Sequence, residues 1–569
     1  MFSIFAALIF SAAVAAQTLQ AESPTQIVQT QSVERSTSTQ IPVSASHGEI
    51  SARNAQHIDS VIQKAARLEQ SCRWKESRDL LAQTLRKYPA SKELQAHFSR
   101  AKILCDIQKR YVTRFHLEFA RGMSEEQLHY FLKNFHQVFD RNFYRKVEPA
   151  QIFYRETAAM EISLQSSIFH EHVLPEQKMS ALEEFRKEIS SFRKRSVIQT
   201  RQELESAILE LGKKFQENFG VNGAVLVLEG IAGFVDSLDP HSELLLPDQR
   251  QDLMSSMSGS MVGIGIELET KGRDTWVKTL IPNSPAAASS LRRGDRILAI
   301  DGTFISEWTE EQVLEKLSGE TNTVVRLLAQ TANLTPREIV LRRKEMTFSS
   351  IEYCGLLTNS PGTAYVRLSR FQKNSAREME ETLFRLQREG MKSLILDLRD
   401  NPGGTVNAAV EMADLFLDKG IILTIQDNHG KLSQYARSSK KWDLPLVVLI
   451  NEKSASASEI FAGAIAENDR GKLVGARSFG KGTIQSILDI GKSPFCLKLT
   501  TAHFYSPNGN RYNYVGVSPN YSVHQTGKPM FETMRDQEWN APAQKEERDL
   551  VLQTAMNMLE EAPLYPPAR

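Results

Sequence analysis

Two short runs, Leu394–Leu398 (LILDL) and Leu446–Ile450 (LVVLI), constrain what this chain can fold into more than any other feature. A strand wetted on one face alternates apolar and polar residues. A nearly unbroken apolar run marks a strand covered on both faces, the condition of a parallel sheet sandwiched by helices. Each run is followed by small residues and then by a helical pattern, so the chain beyond Ser350 reads as an α/β core. With 569 residues it is too long for one core, and about three or four domains are expected.

The remaining segments differ in character. Met1–Ala16 is apolar and ends in small residues suited to signal-peptidase cleavage, although it carries no Lys or Arg. It is shorter than the roughly 20 residues that span a bilayer. Export to the periplasm or cell envelope is expected, with membrane attachment only if this segment stays uncleaved. Residues 17–54, rich in Ser, Thr and Gln, read as a disordered linker. Residues 55–219 show helical periodicity, as in Leu204, Ile208, Leu211 and Phe215 on one helix face. Around Trp74, Leu80, Leu81, Leu85, Tyr88 and Pro89 the pattern resembles one tetratricopeptide-type hairpin, with a plain helical bundle as the other reading. This region could serve self-association or docking of an adaptor. Residues 526–569 read as a C-terminal helical tail.

Lys plus Arg (69) nearly equals Asp plus Glu (68), which gives no reason to expect a nucleic-acid partner. Cys72, Cys105, Cys354 and Cys496 lack a CxxC spacing, and His170 and His172 are two apart, so no metal and no cofactor is expected. Cys72 and Cys105 could pair in an oxidising compartment, or all four could be free thiols.

Between residues 252 and 347 short β-type runs alternate with Gly and Pro. Met261-Val262-Gly263-Ile264-Gly265-Ile266-Glu267-Leu268 and the later Leu291–Gly302 segment together resemble a PDZ domain. The resemblance implies that Val262, Gly263, Ile264 and Gly265 form a carboxylate-binding loop. Ile264 and Ile266 would line the side-chain pocket, and the strand edge would receive the C-terminus of a protein substrate.

Three clusters carry chemistry. Asp397-Leu398-Arg399-Asp400-Asn401-Pro402-Gly403-Gly404 ends a strand in a tight turn that exposes backbone N–H groups, suited to a developing oxyanion. Lys453-Ser454-Ala455-Ser456-Ala457-Ser458-Glu459 places serines at a strand-to-helix junction, where helix capping is the plainer reading. Ser478-Phe479-Gly480-Lys481-Gly482-Thr483-Ile484-Gln485 sets a lysine in an apolar stretch, where lost solvation favours the neutral amine. No G-x-S-x-G elbow is present, and His241 and His503 read as structural.

Together the clusters resemble the carboxyl-terminal processing, or tail-specific, serine protease family, over roughly Gly220 to Val523. The spacing matches: Lys481 lies 25 residues after Ser456, and Gln485 four beyond Lys481. The resemblance implies Ser456 as nucleophile, Lys481 as general base and Gln485 as the residue orienting the lysine. It also implies Gly404 and Ala457 as oxyanion donors, with Asp397, Arg399 and Glu459 as supports. The implied fold is multidomain: an α-helical N-terminal region, a pre-PDZ segment at 220–251, a PDZ β-barrel at 252–347, and a ClpP/crotonase-like α/β protease core at 348–525. Lys453, the Gly319–Thr323 turn and Asn520 depart from the family pattern. A latent scaffold that only binds protein C-termini is the alternative.

Overall fold

The structure, a computed structural model, describes residues 47–561 apart from 113–114, 176–177, 179–180, 272–273, 309, 333, 438–441, 527–528 and 531–548. The expected signal segment and residues 17–46 lie outside the described residues. The chain divides into a unit ending at His57 and a second from Ile58 to Arg569. Of the first, only the opening turns of the helix His47–Gln70 are described. The expected linker therefore stops short of residue 54. A polar composition does not forbid a helix whose later turns have a core to bury.

In the second unit, Val61 and Ala65 join Leu81, Leu85, Leu94, Phe98 and Ala101 in a small core. These residues come from His47–Gln70, Trp74–Lys87 and Lys92–Val112, so the single hairpin is completed by the helix before it. From Ile103 to Phe219 the helices build a larger core that also takes in Phe495, Leu497 and Leu499 of the protease region. Their apolar faces are consumed there. A free arm for self-association or an adaptor is not supported, because periodicity shows that a face is buried but not against what. The helix Ala224–Asp236 is buried at every residue. It docks by buried charges as well: Arg110 Nη2 lies 2.7 Å from Glu229, and Lys102 Nζ lies 3.5 Å from Asp236.

The two diagnostic runs are strands of one six-stranded sheet, ordered 351–356, 363–368, 393–397, 446–450, 472–475 and 521–522. All pairs after the first are parallel. Residues 393–397 and 446–450 are buried throughout, as expected of central strands. A second sheet, ordered 243–245, 496–505, 421–426 and 431–435 with 483–489 also on 496–505, carries the lysine-bearing segment. The PDZ region has its own six-stranded sheet, with Ile266–Lys271 as one edge strand, and a two-stranded sheet of Ser260–Gly263 with Lys344–Thr347. Among the described residues no helix is long and apolar enough to cross a membrane. Cys72, Cys105, Cys354 and Cys496 are free thiols, so the Cys72–Cys105 pairing is not made. His170 and His172 bond carbonyl oxygens of Leu164 and Ile168.

The C-terminal helix Leu550–Glu561 closes one face of the parallel sheet, with Val551, Leu552, Ala555 and Met556 against Ile395, Val447 and Leu449. A buried ionic cluster sets its register. Arg399, 2% exposed, donates to Asp397 at 2.6 Å and to both Asp549 oxygens at 2.8 and 2.9 Å. Tyr365 adds a hydroxyl to Asp397 at 2.7 Å. Truncating one partner of such a cluster strands the others in low dielectric. Arg399→Ala should therefore cost about 3–5 kcal/mol in denaturant unfolding. Adding Asp397→Asn and Asp549→Asn should recover part of the loss. A loss under about 1 kcal/mol would show that the cluster does not hold the helix.

Candidate active site

Ser456 ends the loop after the Leu446–Ile450 strand and precedes the helix Ala457–Glu467. Its backbone is left-handed, φ 56° and ψ −113°, a region that L-residues seldom occupy. Ser456 stands at the N-cap of that helix, and its amide donates to the Glu459 side chain three residues on at 2.7 Å. Its neighbours bond outward: Ser454 Oγ donates to Leu398 O at 2.7 Å and Ser458 Oγ to Asn401 O at 3.0 Å. Both tie the serine loop to the turn that follows Asp397.

That turn lies against Ser456. A Cβ built on Gly403 would stand 2.5 Å from Ala455 O, 2.8 Å from Ala457 N and 2.9 Å from Ser456 Cβ, so only glycine fits there. Asn401 secures the approach. Its Oδ1 accepts from Gly403 N at 2.9 Å, and its backbone O accepts from Ala455 N at 3.0 Å. Phe371 pairs with Gly404 as an isolated bridge, made by Phe371 N to Gly403 O and Thr405 N to Phe371 O. The Gly404 N–H takes no part in that bridge. Ala457 supplies the first amide of its helix, a position with no intrahelical acceptor. The Ala457 amide thus adjoins the serine, while Gly404 lies against Phe371.

Glu459 joins the serine to the lysine segment. Its Oε2 accepts from Ser456 N at 2.7 Å and Lys481 N at 2.9 Å. Its Oε1 accepts from Ser478 Oγ at 2.6 Å and Gly480 N at 2.7 Å. Burial pushes this carboxyl up, against the pull of those four donors. Burial also lowers the Lys481 ammonium, with help from Lys498, to about 8, while Glu459 and Asp239 oppose the shift.

Asp397 and Arg399 are buried supports of the turn, as described above. Gln485 differs from expectation. Its Nε2 donates to Thr483 Oγ1 at 2.9 Å and Thr500 Oγ1 at 3.3 Å, and among the described residues it makes no hydrogen bond to Lys481. Two threonine hydroxyls on the paired strands satisfy the amide first. Lys453, the departure before the serine, is exposed and lies 3.4 Å from Asp400. In the PDZ region Val262 and Gly263 pair as a strand with Glu345 and Lys344, so they are not an open loop. Ile264 is consumed by that domain's core, Gly265 (φ 81°) sits against Ser284, and Ile266 packs partly on the core.

Some neighbours of the site were not foreseen. Burial and the Lys481 charge push His241 down to about 3, so it is neutral beside the lysine. Asp239 holds its segment, accepting from His241 N and Ser242 N, each at 2.8 Å. Arg86, from the N-terminal hairpin, lies 3.4 Å over the Phe479 ring, two residues before Lys481. The Asp-Pro-His-Ser segment was a visible signal, but nothing local marks Arg86.

A non-glycine residue held at positive φ stores about 1–3 kcal/mol of strain. Ser456→Gly should therefore unfold at a higher temperature than Ser456→Ala, by roughly 1 kcal/mol in paired thermal melts. Equal melting of the two variants would show the backbone to be unstrained.

Residues 362–523 match the model of peptidase family S41, and residues 251–330 that of the PDZ domain. A carboxyl-terminal-processing protease of Picosynechococcus sp. is 32% identical over 309 residues, 53% of this chain and 74% of that one. A "Probable CtpA-like serine protease" of Staphylococcus aureus (strain MRSA252) is 30% identical over 308 residues, covering 53% of this chain and 61% of its own length. This chain thus spans less than two thirds of the staphylococcal relatives. Among solved structures, a photosystem II D1 C-terminal processing protease aligns at 26% identity and a TM-score of 0.37, over 70% of this chain and 93% of its own. On the match to the Picosynechococcus relative, with the helical N-terminal region, PDZ domain and α/β core already described, the chain belongs to the carboxyl-terminal processing proteases of peptidase family S41.

Proposed function

We propose that this protein is a serine endopeptidase in which Ser456 attacks the scissile carbonyl and neutral Lys481 accepts the hydroxyl proton. The observation that carries this reading is the Glu459 carboxylate, which joins the Ser456 amide to the amide of a lysine whose ammonium is lowered to about 8. An amine near that value is a competent base at mildly alkaline pH without being fully stripped of its proton affinity. As the tetrahedral intermediate forms, its oxyanion would be met by the Gly404 and Ala457 amides. The protonated lysine then returns its proton to the leaving amine. A water, deprotonated by the same lysine, releases the acyl-enzyme. Gln485 acts as a positioning residue on the strand that begins two residues after Lys481.

In the same reading residues 252–347 form the PDZ module and residues 348–525 the protease core. The open edge of Ile266–Lys271 receives an extended substrate tail as an added strand. Substrates are then exported proteins cut near their C-termini.

Cleavage of an unstructured protein with an apolar tail tests the chemistry. Ser456→Ala and Lys481→Ala should each lower kcat/KM by a factor on the order of a thousand or more. Full activity in Lys481→Ala would remove the lysine from its role. Because only the neutral amine accepts a proton, kcat/KM should rise with pH through about 8 and level off above it. A profile flat from pH 6 to 10 would contradict the assignment. Amidating the substrate's C-terminus should raise KM and leave kcat nearly unchanged, and no change in KM would remove the tail from recognition.

A further inference from the structure

A cleft of about 700 Å³ has Tyr144, Arg145, Lys146 and Arg201 in its walls. It adjoins a second of about 630 Å³ that shares Arg145 and Lys146 and adds Tyr154 and Arg155. The charges do not balance. Arg201 pairs with Asp140, and Lys146 lies 3.1 Å from Glu148. Arg145 and Arg155 have no ion pair among the described residues, and the second cleft has neither Asp nor Glu in its lining. Arg155 donates one hydrogen bond, to Ser237 O at 3.2 Å. Burial and the facing charge of Arg145 both work against the Arg155 guanidinium. Two guanidiniums that repel one another in a half-enclosed cleft are relieved by a bound anion, and the guanidinium fork suits a carboxylate.

The cleft connects to the Ser456–Lys481 site through intervening residues. Tyr144 N donates to Thr500 O at 3.3 Å, and the Tyr144 ring lies 4.7 Å from the His503 ring. His503 faces Thr483 across the strand pair, two residues beyond Lys481. On the other side, Ser237, the acceptor of Arg155, opens the segment that carries His241 to the lysine.

We propose that this cationic cleft is a subsite for acidic side chains of an extended substrate lying next to the scissile bond, a proposal that rests on the endopeptidase reading above. Side chains are favoured over a chain terminus because two connected clefts and two unpaired guanidiniums exceed what one terminal carboxylate occupies. A substrate segment with spaced Asp or Glu fills both.

The test uses two labelled, unstructured peptides with amidated C-termini, identical except that one carries Asp and Glu where the other carries Asn and Gln. Binding is read by fluorescence anisotropy on full-length Ser456→Ala, which needs no turnover. The acidic peptide should bind roughly fivefold to tenfold tighter at low salt, with the ratio shrinking as salt is added. In Arg145→Gln/Arg155→Gln it should fall to about one. In Arg145→Glu, a change at an exposed position that folding tolerates, it should fall below one. Equal binding of the two peptides to the parent protein would overturn the subsite. So would a preference that survives both variants. The kcat/KM ratio of the wild type on the same pair then separates the two readings. Preferential binding with no cleavage keeps the subsite and removes the peptidase. Equal cleavage with equal binding keeps the peptidase and removes the subsite.

Discussion

The carboxylate of Glu459 is the interaction on which the rest of the site depends. Four donors from two separate segments converge on its two oxygens, and a backbone bond from Phe479 N to Ser454 O at 2.9 Å adds a second link between the serine loop and the lysine loop. Burying a carboxylate is costly, and the cost is offset only if its lone pairs are filled. Here they are filled by the amides and hydroxyl whose positions matter. The Ser456 and Lys481 amides are therefore held on one oxygen of a single carboxylate. The left-handed backbone at Ser456 persists for the same reason: its amide is held at 2.7 Å and Gly403 closes on its Cβ from the other side.

Buried charge recurs where segments distant in sequence must find one register. Arg399 between Asp397 and Asp549 fixes the C-terminal helix on the sheet, and Arg110 with Glu229 and Asp236 fixes an N-terminal helix on the core. Such clusters add little net stability over apolar packing, but a mismatched register leaves a charge unpaired. That asymmetry accounts for their position at the two seams where the flanking helices meet the core. The helical third is part of that core, since Phe495 and Leu497 sit in its apolar cluster.

What was legible in the sequence was local. LILDL and LVVLI declared their strands because burial on both faces leaves no polar alternation. Pro402-Gly403-Gly404 declared a tight turn, and the spacing from Ser456 to Lys481 and Gln485 carried the family. The misses are all partnerships across distance. The spacing points Gln485 at the lysine, but Thr500 on the neighbouring strand competes for its amide. Asp549 sits 150 residues from Arg399, with no pattern joining them. Arg86 lies on a polar face of an amphipathic helix, where a stack on Phe479 looks no different from exposure to solvent. The apolar stripe of residues 103–219 announced burial and left its partner unnamed, so an arm for docking was a natural misreading.

The tuning of Lys481 follows from which of its neighbours carry charge. Burial is the largest influence and favours the neutral amine, and Lys498 pushes the same way. That second effect is tempered, because Lys498 is itself 2.8 Å from Glu243. Asp239 and Glu459 pull in the opposite direction, and His241, held neutral, adds nothing. A lysine stripped of water without carboxylates nearby falls to about 5–6, too weak a base to activate a serine efficiently. One left in water stays near 10 and is charged. The two carboxylates hold Lys481 between these limits in the free enzyme. If Lys481 is the base proposed above, a substrate that covers the site would remove more water from the amine and favour its neutral form further.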